Sequence, residues 1–139
     1  MKKLYFPIFI FIIVLITNVS CKKQVEEKQQ DLVVAAMTNG KWKMTWFKEN
    51  NVSIPDFDGY EFQYYSDYTV DATGGGTTKK GTWGGDAATM TTNANFPSSA
   101  GNPLLKINGT WKILRNSWTF VEAEQVNGSE TKTMRLDKK

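Results

Sequence analysis

Between Gly40 and Leu136 several segments place apolar residues at every second position, and this rhythm constrains the fold more than any other feature of the chain. A period of two places one apolar face on a strand, whereas a packed helix needs a period near 3.6. In "KWKMTWF", Trp42, Met44 and Trp46 alternate with Lys41, Lys43 and Thr45. In "GYEFQYY", Tyr60, Phe62 and Tyr64 alternate with Glu61 and Gln63. Ser66-Asp67 turns the chain into "YTVDAT", where Tyr68, Val70 and Ala72 share a face. Gly74 to Gly76 leads into "KKGTWGG", and Gly84-Gly85-Asp86 turns into "AATMTT". After the polar and Pro/Gly-containing stretch Asn93 to Pro103, the residues Leu105, Ile107, Gly109, Trp111 and Ile113 fall on one face. Asn116-Ser117 then turns into "WTFVEAEQ", and Asn127-Gly128 signals a hairpin into "TKTMRLD".

These are about eight strands joined by short turns, with no room for crossover helices. The expected fold is all-β: an antiparallel, up-and-down, eight-stranded small barrel over residues 39–139, because closure removes exposed sheet edges. A two-sheet β-sandwich is the alternative.

The part before Gly40 differs in kind. Lys2 and Lys3 precede an apolar run from Leu4 to Ile16, followed by Thr17 to Ser20 and the only cysteine, Cys21. That order reads as an export signal over residues 1–20, shorter than the roughly 20 apolar residues a spanning helix needs. With Ser20 just before Cys21, it resembles a bacterial lipoprotein signal. The resemblance implies that Cys21 is lipidated, that the protein is held on the membrane by acyl chains, and that it resides at the outer membrane. Lys22-Lys23 is unlike the acidic cluster associated with surface export, so the periplasm-facing side is expected. Residues 21–38 are expected to be a tether and a short helix. "KKQVEEKQQ" is polar and solvated, and Asp31 caps a helix over "DLVVAAMT" that Asn39-Gly40 ends.

With the barrel pattern in place, a family resemblance emerges. A lipoprotein signal, a short linker, "GKW" on the first strand, "DFDGYEFQYYSDYTV" as a hairpin and then "GTW" are similar to the lipocalin-like domains of Bacteroidetes lipoproteins. The resemblance covers Gly40 to about Leu136 and implies a small calycin-like barrel without assigned activity. It also implies that a basic side chain from the last strands, Arg135 or Arg115, covers the first-strand tryptophan.

The residue inventory narrows the chemistry. The chain has no histidine, which removes His-based acid–base work, Ser-His and Cys-His pairs and the commonest metal ligand. No enzyme, cofactor or metal site is expected. Asp56 and Asp58 in "IPDFDGY" are too few for a calcium loop and read as a turn. The run "TGGGTTKKGTW" lacks the Lys-Ser/Thr of a phosphate-binding loop and reads as a hairpin connection. Seventeen basic against fourteen acidic residues give +3, but two of the lysines belong to the signal. So small an excess points to no nucleic acid partner. Glu122 faces inward if Trp118 and Phe120 do, and is solvated if Val121 and Ala123 face inward. The second arrangement is the expected one.

The aromatic residues are what remain. Trp42, Trp83 and Trp111 each follow a glycine by two positions, at Gly40, Gly81 and Gly109. With Met44, Phe62 and Phe120 they form either the wall of a pocket for a small apolar ligand or simply the packed core of a monomeric barrel. The two readings lead to two functions: an envelope barrel with a small apolar ligand, or a solid interaction or inhibitor module that meets another envelope protein through its loops.

Overall fold

The computed structural model describes residues 6–139, with side chains from residue 21 onward. One helix, α1 (Phe6–Thr38), precedes nine strands. These are β1 (Lys41–Glu49), β2 (Val52–Ser53), β3 (Glu61–Tyr64), β4 (Thr69–Gly74) and β5 (Thr77–Asp86). They continue with β6 (Thr91–Asn95), β7 (Gly109–Asn116), β8 (Phe120–Asn127) and β9 (Glu130–Lys138). All pairings are antiparallel, and β1 pairs with β9 as well as with β3, so eight strands close into a barrel. The short β2 is an appendix hydrogen-bonded to the far end of β1. Closure sets aside the sandwich alternative.

Turn chemistry accounts for the meander. Gly75 and Gly76 form the two-residue loop between β4 and β5 with φ of +58° and +78°. That left-handed pair matches strand twist and is open to glycine at little cost. At the β5–β6 turn the strand runs through Gly84 and Gly85 and reverses only after Asp86, later than the sequence suggests. The Asp86 carboxylate accepts the Ala88 and Thr89 amide N–H groups at 2.9 and 3.3 Å, which fixes the reversal there.

Three other expectations are corrected. A bulge between Met44 and Trp46 breaks the alternation of β1. Phe47 therefore enters the core, while Trp46 moves to the outer wall under the Lys48 ammonium. Leu104–Ile107 is a 3-10 helix rather than strand, and it buries Leu104 and Ile107 instead of Leu105. The expected tether and separate helix form one helix, with Asp31 inside it. Lys, Gln and Glu are good helix formers, so "KKQVEEKQQ" extends the helix although its first eight side chains stay exposed. The export signal expected over Met1 to Ser20 lies outside the described residues, apart from the helical backbone from Phe6. Among the described residues no helix is long and apolar enough to cross a membrane.

The three glycine-linked tryptophans share one structural job. Trp42 and Trp111 are fully buried, and Trp83 nearly so. Each indole N–H leaves the barrel wall to reach a backbone carbonyl outside the strands. Trp42 donates to Met37 at 2.9 Å, Trp83 to Tyr65 at 3.0 Å and Trp111 to Ile107 at 2.9 Å. The helix terminus, the β3–β4 turn and the 3-10 helix are each tied to the barrel by one tryptophan. A buried indole needs such a partner.

Candidate functional site

The two ends of the barrel are built differently. At the end away from α1, Phe47 meets Phe57 at 4.9 Å and Trp111 at 6.5 Å between ring centroids. Phe96, Leu104 and Ile107 complete the plug. The Asn108 side chain accepts from the Phe96 N–H at 2.7 Å and donates to its carbonyl at 2.9 Å, clamping the long loop shut. Buried Gln125 donates to the carbonyls of Asn108 and Thr110. Lys106 bridges Glu49 at 3.1 Å and Asp56 at 2.8 Å. Asp56 therefore holds a cation of the protein itself, while Asp58 is exposed to solvent. The two do not converge as a metal pair.

At the other end α1 lies across the mouth. The Gln30 side chain donates to the Gly85 carbonyl and accepts from the Ala87 N–H, on the β5–β6 side. On the β1–β9 side, Trp42 holds the Met37 carbonyl and the Lys138 ammonium donates to the Ala36 carbonyl at 3.1 Å. The last turn of a helix leaves carbonyls without partners and carries partial negative charge, so an indole N–H and an ammonium both stabilise it. From Gln30 to Met37 the helix advances seven positions, roughly 10 Å at 1.5 Å per residue.

Beneath the helix is a cavity of about 80 Å³. Val33, Ala36 and Met37 form its roof, and Trp42, Met44, Phe62, Trp83 and Trp111 are among its walls. Of the six residues singled out in the sequence, five meet there. Phe120 does not. It stands on the outer wall, where the Arg135 guanidinium lies over its ring at 4.4 Å. Val121 and Ala123 take the inner face of β8. The basic cover of Trp42 is Lys138, 5.1 Å from the ring centroid, rather than Arg135 or Arg115. Such a contact contributes about 0.5–1 kcal/mol at an exposed site.

The cavity carries no ionised lining group. Tyr64 is the titratable residue that lines it, and burial pushes its phenol pKa far above the ordinary value, which keeps it neutral. Thr92, Asn93, Asn116 and Ser117 add polar atoms to the otherwise apolar lining. An apolar molecule or fragment suits this space, and an ion does not. For scale, an engineered cavity near 150 Å³ takes up benzene. The space under α1 is about half of that.

Glu122 has the orientation expected of it, outward, but it is covered rather than solvated. Arg115 gives it a two-pronged contact at 2.9 and 2.7 Å, and Arg135 adds a bond at 2.8 Å. These guanidinium groups, Arg115 first, hold its pKa below the usual glutamate value. Arg135 also grips Asp137, whose carboxyl is likewise lowered, and Thr45 donates to that carboxylate at 2.6 Å. Every charge in the cluster has a partner, so it fastens β7, β8 and β9 together on the outside. The sequence hid this arrangement because Arg115 and Glu122 meet only across the β7–β8 register, which a bulge shifts.

No protein-family model and no curated protein matches the chain. Among solved structures, a DUF4847 family protein from Bacteroides vulgatus is similar, with a TM-score of 0.55 and 16% sequence identity. The match covers 76% of this chain and 96% of that one. The fold fits a small calycin-like barrel. At that identity the likeness is one of fold alone.

Proposed function

We propose that the chain is a non-enzymatic, lipid-anchored envelope protein of the Bacteroidetes lipoprotein type that receives a small apolar ligand in its barrel. The observation that carries the ligand reading is the cavity itself, uncharged and framed by three tryptophans under a helix. Its volume limits what fits without movement to a molecule smaller than benzene, or to one end of a longer apolar chain. Support for the non-enzymatic reading comes from the absence of histidine and from the carboxylates near Arg115, Arg135 and Lys106, which are all neutralised in ion pairs. Support for the anchor comes from the sequence up to Cys21, whose side chain is exposed on α1. Two acyl chains already suffice for a stable membrane hold. The outer membrane, on its periplasmic side, is the proposed location.

The ligand reading is tested by mixing the full chain in detergent with an apolar extract of bacterial envelopes and recording native mass spectra. A retained small-molecule mass that Trp83→Arg abolishes is the expected result. An unladen mass together with an unchanged thermal midpoint would sink it. The small size of the cavity favours a second reading, in which the barrel is solid and its loops contact another envelope protein. Crosslinking in cells that captured one defined protein through the loop 93–103 would favour that second reading.

A further inference from the structure

Three strand connections surround the mouth at the α1 end, and each brings a large apolar side chain into solvent. The β3–β4 turn exposes Tyr65 and Tyr68, the β5–β6 turn exposes Met90, and around the β7–β8 turn Leu114 and Trp118 stand out. Trp118 is 56% exposed, unusual for the largest side chain. Exposed Val52 and Val126 mark the opposite end, which shows no exposed aromatic among the described residues. Two of the five rim residues, Tyr68 and Met90, hold positive φ values of +64° and +53°. A left-handed backbone is uncommon for such side chains.

We propose that this rim is a lipid-contacting surface, with the barrel resting mouth-first on the bilayer and these five side chains at headgroup depth. The apolar groups come from all three turns at this end, which span β3 to β8, while the β9–β1 side carries the exposed Lys41 and Lys139. A flat surface touches all three turns at once, whereas a protein partner covers a flank. Tyr and Trp suit the boundary between water and hydrocarbon, where an amphipathic ring is better placed than in either phase, and Met90 and Leu114 add apolar area beside them. The chain itself approaches from this side. The helix that crosses the mouth leads back to Cys21. Gln30 lies nine helical positions after Cys21, so a membrane hold at Cys21 keeps the Gln30 side of the mouth within roughly 14 Å of that hold. In that last respect the inference rests on the anchor proposed above.

Reconstituting the full chain in vesicles of phosphatidylethanolamine and phosphatidylglycerol, with bromine on the upper part of the acyl chains, tests the contact by tryptophan quenching. Wild-type emission is expected to be quenched, and Trp118→Phe to lose most of that quenching. Trp46→Phe, on the outer wall of β1, is expected to retain it. Equal quenching in both variants, or none in the wild type, overturns the proposal. The intact mass of the same preparation judges the anchor separately. Missing acyl mass on Cys21 counts against the lipid hold, while the Trp118 difference still decides whether the rim meets lipid.

Discussion

The end of the barrel plugged by Phe47 and Phe57 and the end crossed by α1 are made from the same strands, yet they use buried side chains in opposite ways. At the plugged end, aromatic rings meet each other and the long loop between β6 and β7 is fastened by side-chain hydrogen bonds to backbone. At the other end the tryptophans face a space, and the cover is a helix fastened at Gln30 and at its last turn. The difference teaches where stability and access are separated. A fold can tolerate a gap under one cover when the opposite end supplies the close packing.

The largest expected effect is at the plugged end. Phe47→Ala removes a buried ring that packs against Phe57 and Trp111. Urea unfolding is expected to register a loss of about 3–5 kcal/mol. A loss near that of a surface substitution would break the comparison. Next comes Gly81→Ala. A Cβ there would stand 2.7 Å from the Phe96 ring and 2.8 Å from the Asn95 carbonyl oxygen. Overpacking of this kind costs about 1–3 kcal/mol, readable in the same unfolding curves.

Smaller still is the effect of loosening the cover. A Cβ at Gly85 would meet Val33 at 3.2 Å, so Gly85→Val is expected to lift α1 from the β5–β6 side. Hydrogen exchange should speed up over residues 30–38 while amides of β7 and β8 keep their protection. Uniform acceleration along the whole chain would mean the two ends do not separate. The smallest effect belongs to the outer wall. The Glu122 pKa is lowered in the folded protein, so its contribution is complete above the ordinary glutamate value, about 4.3. It is lost as pH falls through the depressed folded value. Glu122→Gln is expected to flatten the fall of the thermal midpoint between pH 5 and pH 2, roughly the carboxylate window. An unchanged slope would assign the acid sensitivity to other pairs, such as Asp137 with Arg135.

The alternation made most of this barrel legible. Trp42, Met44, Phe62 and Trp111 stand on the inner faces where period two puts them, because nothing interrupts their strands on the way in. Trp46 and Phe120 do not, for different reasons. Trp46 follows a bulge, and one extra residue exchanges the faces of everything after it. Phe120 sits in "WTFVEA", where both faces are apolar, and the choice is made by arginines brought from β7 and β9. The cover over the mouth was partly legible as a short helix before Gly40. Its fastening was not, since Gln30 meets Gly85 and Ala87, 55 and 57 positions further along the chain. Long-range pairings of this kind leave no local trace in a sequence.

Xenon under pressure offers the most direct measurement of the contrast between the ends, because it enters dry apolar cavities and scatters strongly. Crystals of the protein so treated are expected to show one xenon site beneath Val33 and Met37, bounded by Trp42, Trp83 and Trp111. None is expected among Phe47, Phe57 and Leu104. An empty α1 end, or equal occupancy at the plugged end, would contradict the division of the barrel into a packed half and a receptive one.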